Sequence, residues 1–280
     1  NHLFIKMDIE SSIREKKELY QPLLIFLDDI DNSDEHFKSL TQILIKQKIN
    51  EIKIKELFCL ISKIDSSHYR SSKFYDNLKQ IFQFIINNQQ FSIPSNDLFQ
   101  FFEHNKRNLL LLLHKKYIIP DDNLMKIILK KKDNYGFKYC HYLYPTIKAI
   151  IGKRKTKRIE YEITTELKEP IEFFESKCIK GENESNICTM IREDSIDDFI
   201  SHVNRTNLLF TSQIPLSLFE THSIFLNDDK NRPNLMEYAA FCGSIRILQY
   251  MKNCGALFED SVWLYAVHSN NAEIIHFLEE

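Results

Sequence analysis

Glycine is scarce in this chain, with five in 280 residues, where ordinary usage of roughly 7% would supply about 20. Proline is scarce as well, with seven, and there is one tryptophan. A many-stranded sheet needs frequent tight turns, so the shortage of turn-formers points to helices. Long apolar runs are missing too. The most apolar stretch, Leu109–Leu113, lies between Asn108 and His114, far short of the roughly 20 residues that span a bilayer. The six cysteines, Cys59, Cys140, Cys178, Cys188, Cys242 and Cys254, contain no CxxC pair. A chain of this length does not need staples, so they read as reduced thiols in a cytoplasmic-type compartment. Cys178 and Cys188 are close enough in sequence to be the one conceivable bridge. No secretory leader precedes the tripeptides at Asn183 and Asn204, so these read as chance glycosylation matches.

Hydrophobic residues make up 43% of the chain, enough for a substantial core. The formal net charge of −2 hides a strong asymmetry. Residues 1–104 hold 13 basic and 15 acidic side chains, residues 105–158 hold 15 and 3, and residues 159–280 hold 9 and 21. A basic middle therefore precedes an acidic end. Apolar residues recur at helical spacing in Ile54, Leu57, Phe58, Ile61 and Ile64, and again in Leu78, Ile81, Phe82, Ile85 and Ile86, predicting amphipathic helices. Ser95, Asn96 and Asp97 offer caps before Leu98–Phe102. Pro120-Asp121-Asp122 opens a helix over Leu124–Lys132, with acids at its positive end and lysines at its negative end. A helical array or bundle is expected from about Asp8 to Lys157. The polar stretch Ser176–Asn186, containing Gly181, is the expected linker.

Two of the five glycines fall in Asn234–Ala256, NLMEYAAFCGSIRILQYMKNCGA. The stretch reads as two short helices. Asn234 caps the first, and Met236, Ala239 and Ala240 give it a slim face suited to close packing. Gly243 takes the positive φ of the reversal. Ile245, Ile247, Leu248 and Met251 face the core from the second helix, and Gly255 ends it. A copy follows 27 residues on. Trp263 aligns with Met236, which predicts a core tryptophan. Ala266 aligns with Ala239, Asn270 with Gly243, Ile274 with Ile247, Ile275 with Leu248 and Leu278 with Met251. A weaker copy, Ile187–Val203, aligns Met190 with Ala239, Asp194 with Gly243, Ile196 with Ile245 and Phe199 with Leu248. Residues 204–233 form an insertion between them.

This pattern resembles the ankyrin repeat, TPLHxAAxxG with a second helix and a closing GA. Ala239-Ala240, Gly243 and Gly255-Ala256 match as they stand. Asn234, Leu235 and Glu237 replace the family's Thr, Pro and His, and the offset is shorter than the usual roughly 33 residues. The stretches NLMEYAAFCGSIRILQYM and SVWLYAVHSNNAEIIHFLEE look closer still to protist ankyrin-containing proteins that carry a domain of unknown function ahead of their repeats. The resemblance covers about Ile187–Glu280. It implies a helical solenoid that binds a protein partner and carries no chemistry. It also implies that Phe241, Cys242, His268 and Ser269, the slots after the small-residue pair, line a concave binding surface, where an apolar Phe241 either contacts a partner or is covered by the insertion or the N-terminal helices. The chain begins at Asn1 and stops within a helical pattern at Glu280, so further repeats are expected after it, with a frayed end in their absence.

The expected fold is thus all-α: an N-terminal helical array or bundle over residues 1–175, a linker at 176–186, and an ankyrin-type solenoid over 187–280, truncated at its C-terminus. Signals for catalysis are weak. Gly152-Lys-Arg-Lys-Thr156 has the Lys-Thr of a phosphate loop but not its upstream glycine. Cys140 and His141 are adjacent and do not face each other on a helix. Asp194, Asp197 and Asp198 fit a helix start. The histidines form no HxxxH or HExxH pair. No enzyme, metal or cofactor is expected. The other functional reading is the basic segment 105–158, where Lys130, Lys131, Lys132, Lys153, Arg154, Lys155, Lys157 and Arg158 bracket Tyr135, Phe137, Tyr139, Tyr142 and Tyr144. Cations interleaved with aromatics can bind nucleic acid or anionic lipid, and KRKTKR can also serve as a localisation signal. The same charge could instead face the acidic end of its own chain.

Overall fold

The computed structural model describes residues 19–28, 34–46, 51–67, 72–87, 93–226 and 232–279. The described residues are predominantly helical and contain no strand. Two isolated bridges, Lys132 to Lys138 and Gln213 to Asn234, are the only extended pairings among them. No helix among them is long and apolar enough to cross a membrane. The expectations for residues 8–18, and for the end of the chain at Glu280, lie outside the described residues. The chain divides into two compact units, one of residues 1–65 and 70–94 and the other of residues 66–69 and 95–280. The division falls at Pro94 and Ser95, not in the expected linker.

The first unit contains α1 (residues 19–28), α2 (Asp34–Lys46), α3 (Glu51–Ser67, whose last two residues belong to the second unit) and α4 (Ser72–Asn87). Its core is the expected one: Ile54, Leu57, Phe58, Ile61 and Ile64 from α3, with Leu78, Ile81, Phe82 and Ile85 from α4. Ile86 is half-buried. Asn77, fully buried in α4, donates its amide to the carbonyls of Phe26 and Leu27 at 2.9 and 3.4 Å. These lie in the last turn of α1, where carbonyls have no partner within their own helix.

The second unit begins with α5 (Ser95–Phe101), α6 (Lys106–His114), α7 (Asp122–Lys130), α8 (Tyr139–Tyr142), α9 (Tyr144–Ile147) and α10 (Lys153–Tyr161). A π-helical turn, Glu162–Glu166, continues α10 directly, and α11 (Ile171–Lys180) follows. Asp121 caps α7 as predicted, accepting from the Leu124 amide at 2.7 Å. That helix ends two residues sooner than expected, at Lys130. Lys106 is the least expected core residue. Its ammonium is almost wholly buried, 2.7 Å from Asp133, 3.0 Å from the Leu218 carbonyl and over the Tyr142 ring. A buried cation is tolerable only with such partners.

The stretch 176–186 is packed structure. Ser176–Lys180 form the last turns of α11, and Gly181 ends the helix at φ +68°. A Cβ on Gly181 would stand 2.7 Å from Thr221 Oγ1 and 2.8 Å from Arg107 Cδ. Thr221 donates to the Gly181 carbonyl, and Arg107 to that of Ile179. Asn183 is buried and donates to the Pro215 carbonyl, so this glycosylation tripeptide is closed to modification. All six cysteines are free.

Three helix pairs complete the unit: α12 (Asn186–Arg192) with α13 (Ile196–Thr206), α15 (Leu235–Cys242) with α16 (Ile245–Asn253), and α17 (Ser261–His268) with α18 (Ala272–Glu279). The first helices stack on one another, as do the second. The 27-residue register holds in the packing. Leu235 and Val262, Tyr238 and Tyr265, Ala239 and Ala266, and Ile247 and Ile274 are all buried. The reversal residues Asp194, Gly243 and Asn270 all have positive φ, at 48°, 75° and 50°. Only glycine, and to a lesser degree Asn or Asp, takes that conformation readily. Asn234 and Glu237 form a reciprocal capping box at the start of α15, which satisfies the unpaired amides of its first turn.

Hydrogen bonds lace neighbouring pairs together. Asp194 accepts from the Arg246 and Ile247 amides, both at 3.0 Å, and so caps the helix of the next pair. Ser244, the residue before that helix, donates instead to the Ile191 carbonyl. Asn271, its counterpart 27 residues on, caps α18 through Glu273. Substituting Asp194→Ala removes both cap bonds and leaves a Cβ-bearing residue without a side-chain acceptor in left-handed backbone. A loss of about 1–2 kcal/mol in urea unfolding is expected, with Asp194→Gly losing less because the backbone strain is relieved.

Candidate interaction surfaces

The insertion 204–233 decides what the repeat stack exposes. Its described part carries α14 (Ser223–Leu226). Phe225 lies ring to ring with Phe241 at 4.6 Å, with Tyr238 at 5.3 Å and with Tyr265 at 6.3 Å. His222 lies 4.9 Å from Phe241 and 6.2 Å from His268. Phe241 is 5% exposed as a result. Of the four expected partner-binding residues, Phe241 is therefore a core residue under the chain's own insertion. Cys242, His268 and Ser269 are half-buried around it.

Trp263 departs from expectation in the opposite sense. Its counterpart Met236 is 1% exposed, because α17 packs across α15. Trp263 itself is 37% exposed, with Leu264 at 58% and Val267 at 69% beside it on α17. These residues, at i, i+1 and i+4, form one apolar face. Val267 is the counterpart of Ala240, which is fully buried. The covered face of the middle pair is thus the open face of the last.

The basic segment does not form one surface. Lys130, Lys131 and Lys132 stand at the C-terminal end of α7. The N-terminal end of α7 (Pro120, Asp121, Asp122) shares a hollow of about 460 Å³ with Ile150–Lys155. The two clusters are therefore separated by the length of a nine-residue helix, about 13 Å. Lys131 pairs with Glu103 at 3.2 Å and lies over the Tyr139 ring, while Lys130 and Lys132 are exposed. Tyr139, Tyr142 and Tyr144 are buried, so they cannot stack on bases. The Tyr142 hydroxyl donates to the Cys178 carbonyl and that of Tyr135 to Phe225. Part of the positive charge is answered internally, with Lys148 3.9 Å from Glu175.

Glu162, at the start of the π turn, collects three donors: Lys138 and His141 at 2.7 Å and Arg158 at 2.9 Å. The Arg158 contact is an i,i+4 pair and was legible in the sequence. Removal from water pushes this carboxyl up, but the bonds from Lys138, His141 and Arg158 outweigh that and hold it at about 2. Burial pushes the Cys140 thiol up, and that of Cys188 to about 12, so neither is a thiolate nucleophile near neutral pH. No group of three or more possible metal ligands occurs among the described residues. Comparison with family models, with curated proteins and with solved structures finds no match.

Lys153, Arg154, Lys155 and Lys157 are exposed. Tyr161, just past the basic segment as drawn from charge alone, is 62% exposed on the same helix. Its signal was its place four residues after Lys157.

Two outcomes follow from this geometry. Phe225→Ala should destabilise the second unit by about 3–5 kcal/mol in urea unfolding. Glu162→Gln should destabilise the protein at neutral pH. The folded-state carboxyl lies below its unfolded value of about 4.3, so its contribution is present above that value and is lost as pH falls toward 2. The stability gap between wild type and Glu162→Gln should therefore close across that window in pH-dependent melts.

Proposed function

We propose that the three stacked helix pairs are divergent ankyrin-type units and that the chain is a protein-binding scaffold without catalysis. The repeated register, the left-handed reversals at Asp194, Gly243 and Asn270, and the alternation of stacked first and second helices support this reading. Repeat stacks of this kind offer surfaces, and each pair buries its face against a neighbour. The observation that carries the proposal is the open face of α17: Trp263, Leu264 and Val267. Grouped exposed apolar side chains of this sort mark interaction sites, and a tryptophan among them is a favoured anchor. The partner segment is helical, because the preceding first helix, α15, is covered by a helix, α17. The groove at Phe241 is already filled and takes no partner.

A photo-crosslinking residue placed at position 267, 241 or 205 separates these surfaces in cell extract. Position 267 should yield a protein adduct that disappears with Trp263→Glu, while 241 and the exposed control at 205 yield none. An adduct from 241, or equal adducts from 205 and 267, would count against the α17 face.

A further inference from the structure

The α10 helix violates an electrostatic rule that α7 obeys. Helix N-termini favour acids, because unpaired amides make that end positive. Here the first six residues are Lys153-Arg154-Lys155-Thr156-Lys157-Arg158. Lys153 with Lys157, and Arg154 with Arg158, are like charges at i,i+4, an arrangement that destabilises a helix. The preceding Gly152 supplies no side-chain cap. Among the described residues, Arg158 alone of the five cations has a carboxylate at ion-pair distance, that of Glu162. The nearby acids are committed elsewhere. Glu160 accepts from the Tyr144 hydroxyl, Glu162 from its three donors, and Asp121 caps α7. Asp122 shares the hollow with Lys153–Lys155 without pairing to them. Four cations therefore stand on one short helix with no carboxylate at ion-pair distance among the described residues.

Tyr161 completes the surface. It lies three and four residues from Arg158 and Lys157, so it shares their side of the helix. Its side chain makes no hydrogen bond or ring contact among the described residues and stands well out into solvent. The apolar residues of this segment, Ile159 and Ile163, are both committed to the core. The outer side of α10 therefore has no aliphatic stripe to enter a bilayer, which a membrane-surface helix requires. Ile150, exposed just before the helix, is a single side chain.

We infer that the outer face of α10 binds single-stranded nucleic acid, independently of the repeat stack. Lys153, Arg154, Lys155 and Lys157 contact successive phosphates, and Tyr161 stacks on a base. A duplex offers the phosphates but hides its base faces within the stack, whereas a single strand offers both. The contact is tolerant of sequence, since nothing on this face reads base edges.

Fluorescence anisotropy tests this, with labelled oligothymidylate and oligouridylate, a mixed-sequence duplex, and vesicles of phosphatidylserine and phosphatidylcholine. The single strands should bind with a slope of log K against log salt of about −3, from four released phosphate counterions. Replacing Lys153, Arg154, Lys155 and Lys157 together by Gln should flatten the slope. Tyr161→Ala should weaken binding about tenfold and leave the slope unchanged. Arg205→Gln, on the exposed side of α13, should alter neither. Duplex binding as tight as single-strand binding and indifferent to Tyr161→Ala would overturn the inference. So would binding to vesicles alone, or no binding to any probe.

Discussion

The ring of Phe225 governs much of the second unit. It sits against Phe241, Tyr238 and Tyr265, one contact on each of two neighbouring helices and a second on α15. Aromatic burial on this scale is among the largest apolar contributions a single side chain makes. The insertion that carries it is held from the other side as well. Tyr135 donates to the Phe225 carbonyl, Lys106 to that of Leu218, and Thr221 to that of Gly181. The same short segment thus fills the inner side of the repeat stack and ties it to α6, α11 and the loop before α8. The three stacked helix pairs are buttressed, and Phe241 is covered as a result.

Charge is handled by the same economy of partners. The basic middle is not one solvated block. Lys106 is buried against Asp133, and Lys138 and Arg158 converge on Glu162. A carboxylate held by three donors stays ionised well into acid, so the basic side chains around it remain neutralised across ordinary pH. Of the exposed cations without an ion-pair partner among the described residues, four stand together on α10. That concentration gives its outer face a distinct character, where an evenly spread positive charge would signify little.

The helices and the reversals between paired helices were legible because they rest on local rules. Gly243 and Asn270 announce positive φ, and Asp194 takes the same conformation. Apolar residues at helical spacing, such as Leu78, Ile81, Phe82 and Ile85, announce a buried helix face. The surfaces were less legible because exposure is set by what packs across a residue, not by the residue's own pattern. The sequence leaves Phe241 open between a partner surface and a covered residue, because the insertion that places Phe225 over it has no periodicity. Trp263 aligns with a core methionine, but α15, which carries that methionine, is packed between α12 and α17, while α17 has no further helix pair beyond it among the described residues. Tyr139, Tyr142 and Tyr144 read as an aromatic-basic surface, yet two of their hydroxyls bond to Glu103 and Cys178 carbonyls and the third to Glu160. Ser176–Asn186 looks like a linker by composition, while Gly181 is there because Thr221 and Arg107 leave no room for a side chain.

The second unit rests on the covering of Phe241 by the chain's own insertion. Nuclear Overhauser contacts in protein selectively labelled at Phe and Tyr rings test it most directly. The account predicts cross-peaks from the Phe225 ring to both Phe241 and Tyr265, whose centroids lie 4.6 and 6.3 Å away. A Phe225 ring with free-peptide shifts and no contact to either would mean that Phe241 is uncovered, and that it returns as a candidate partner surface.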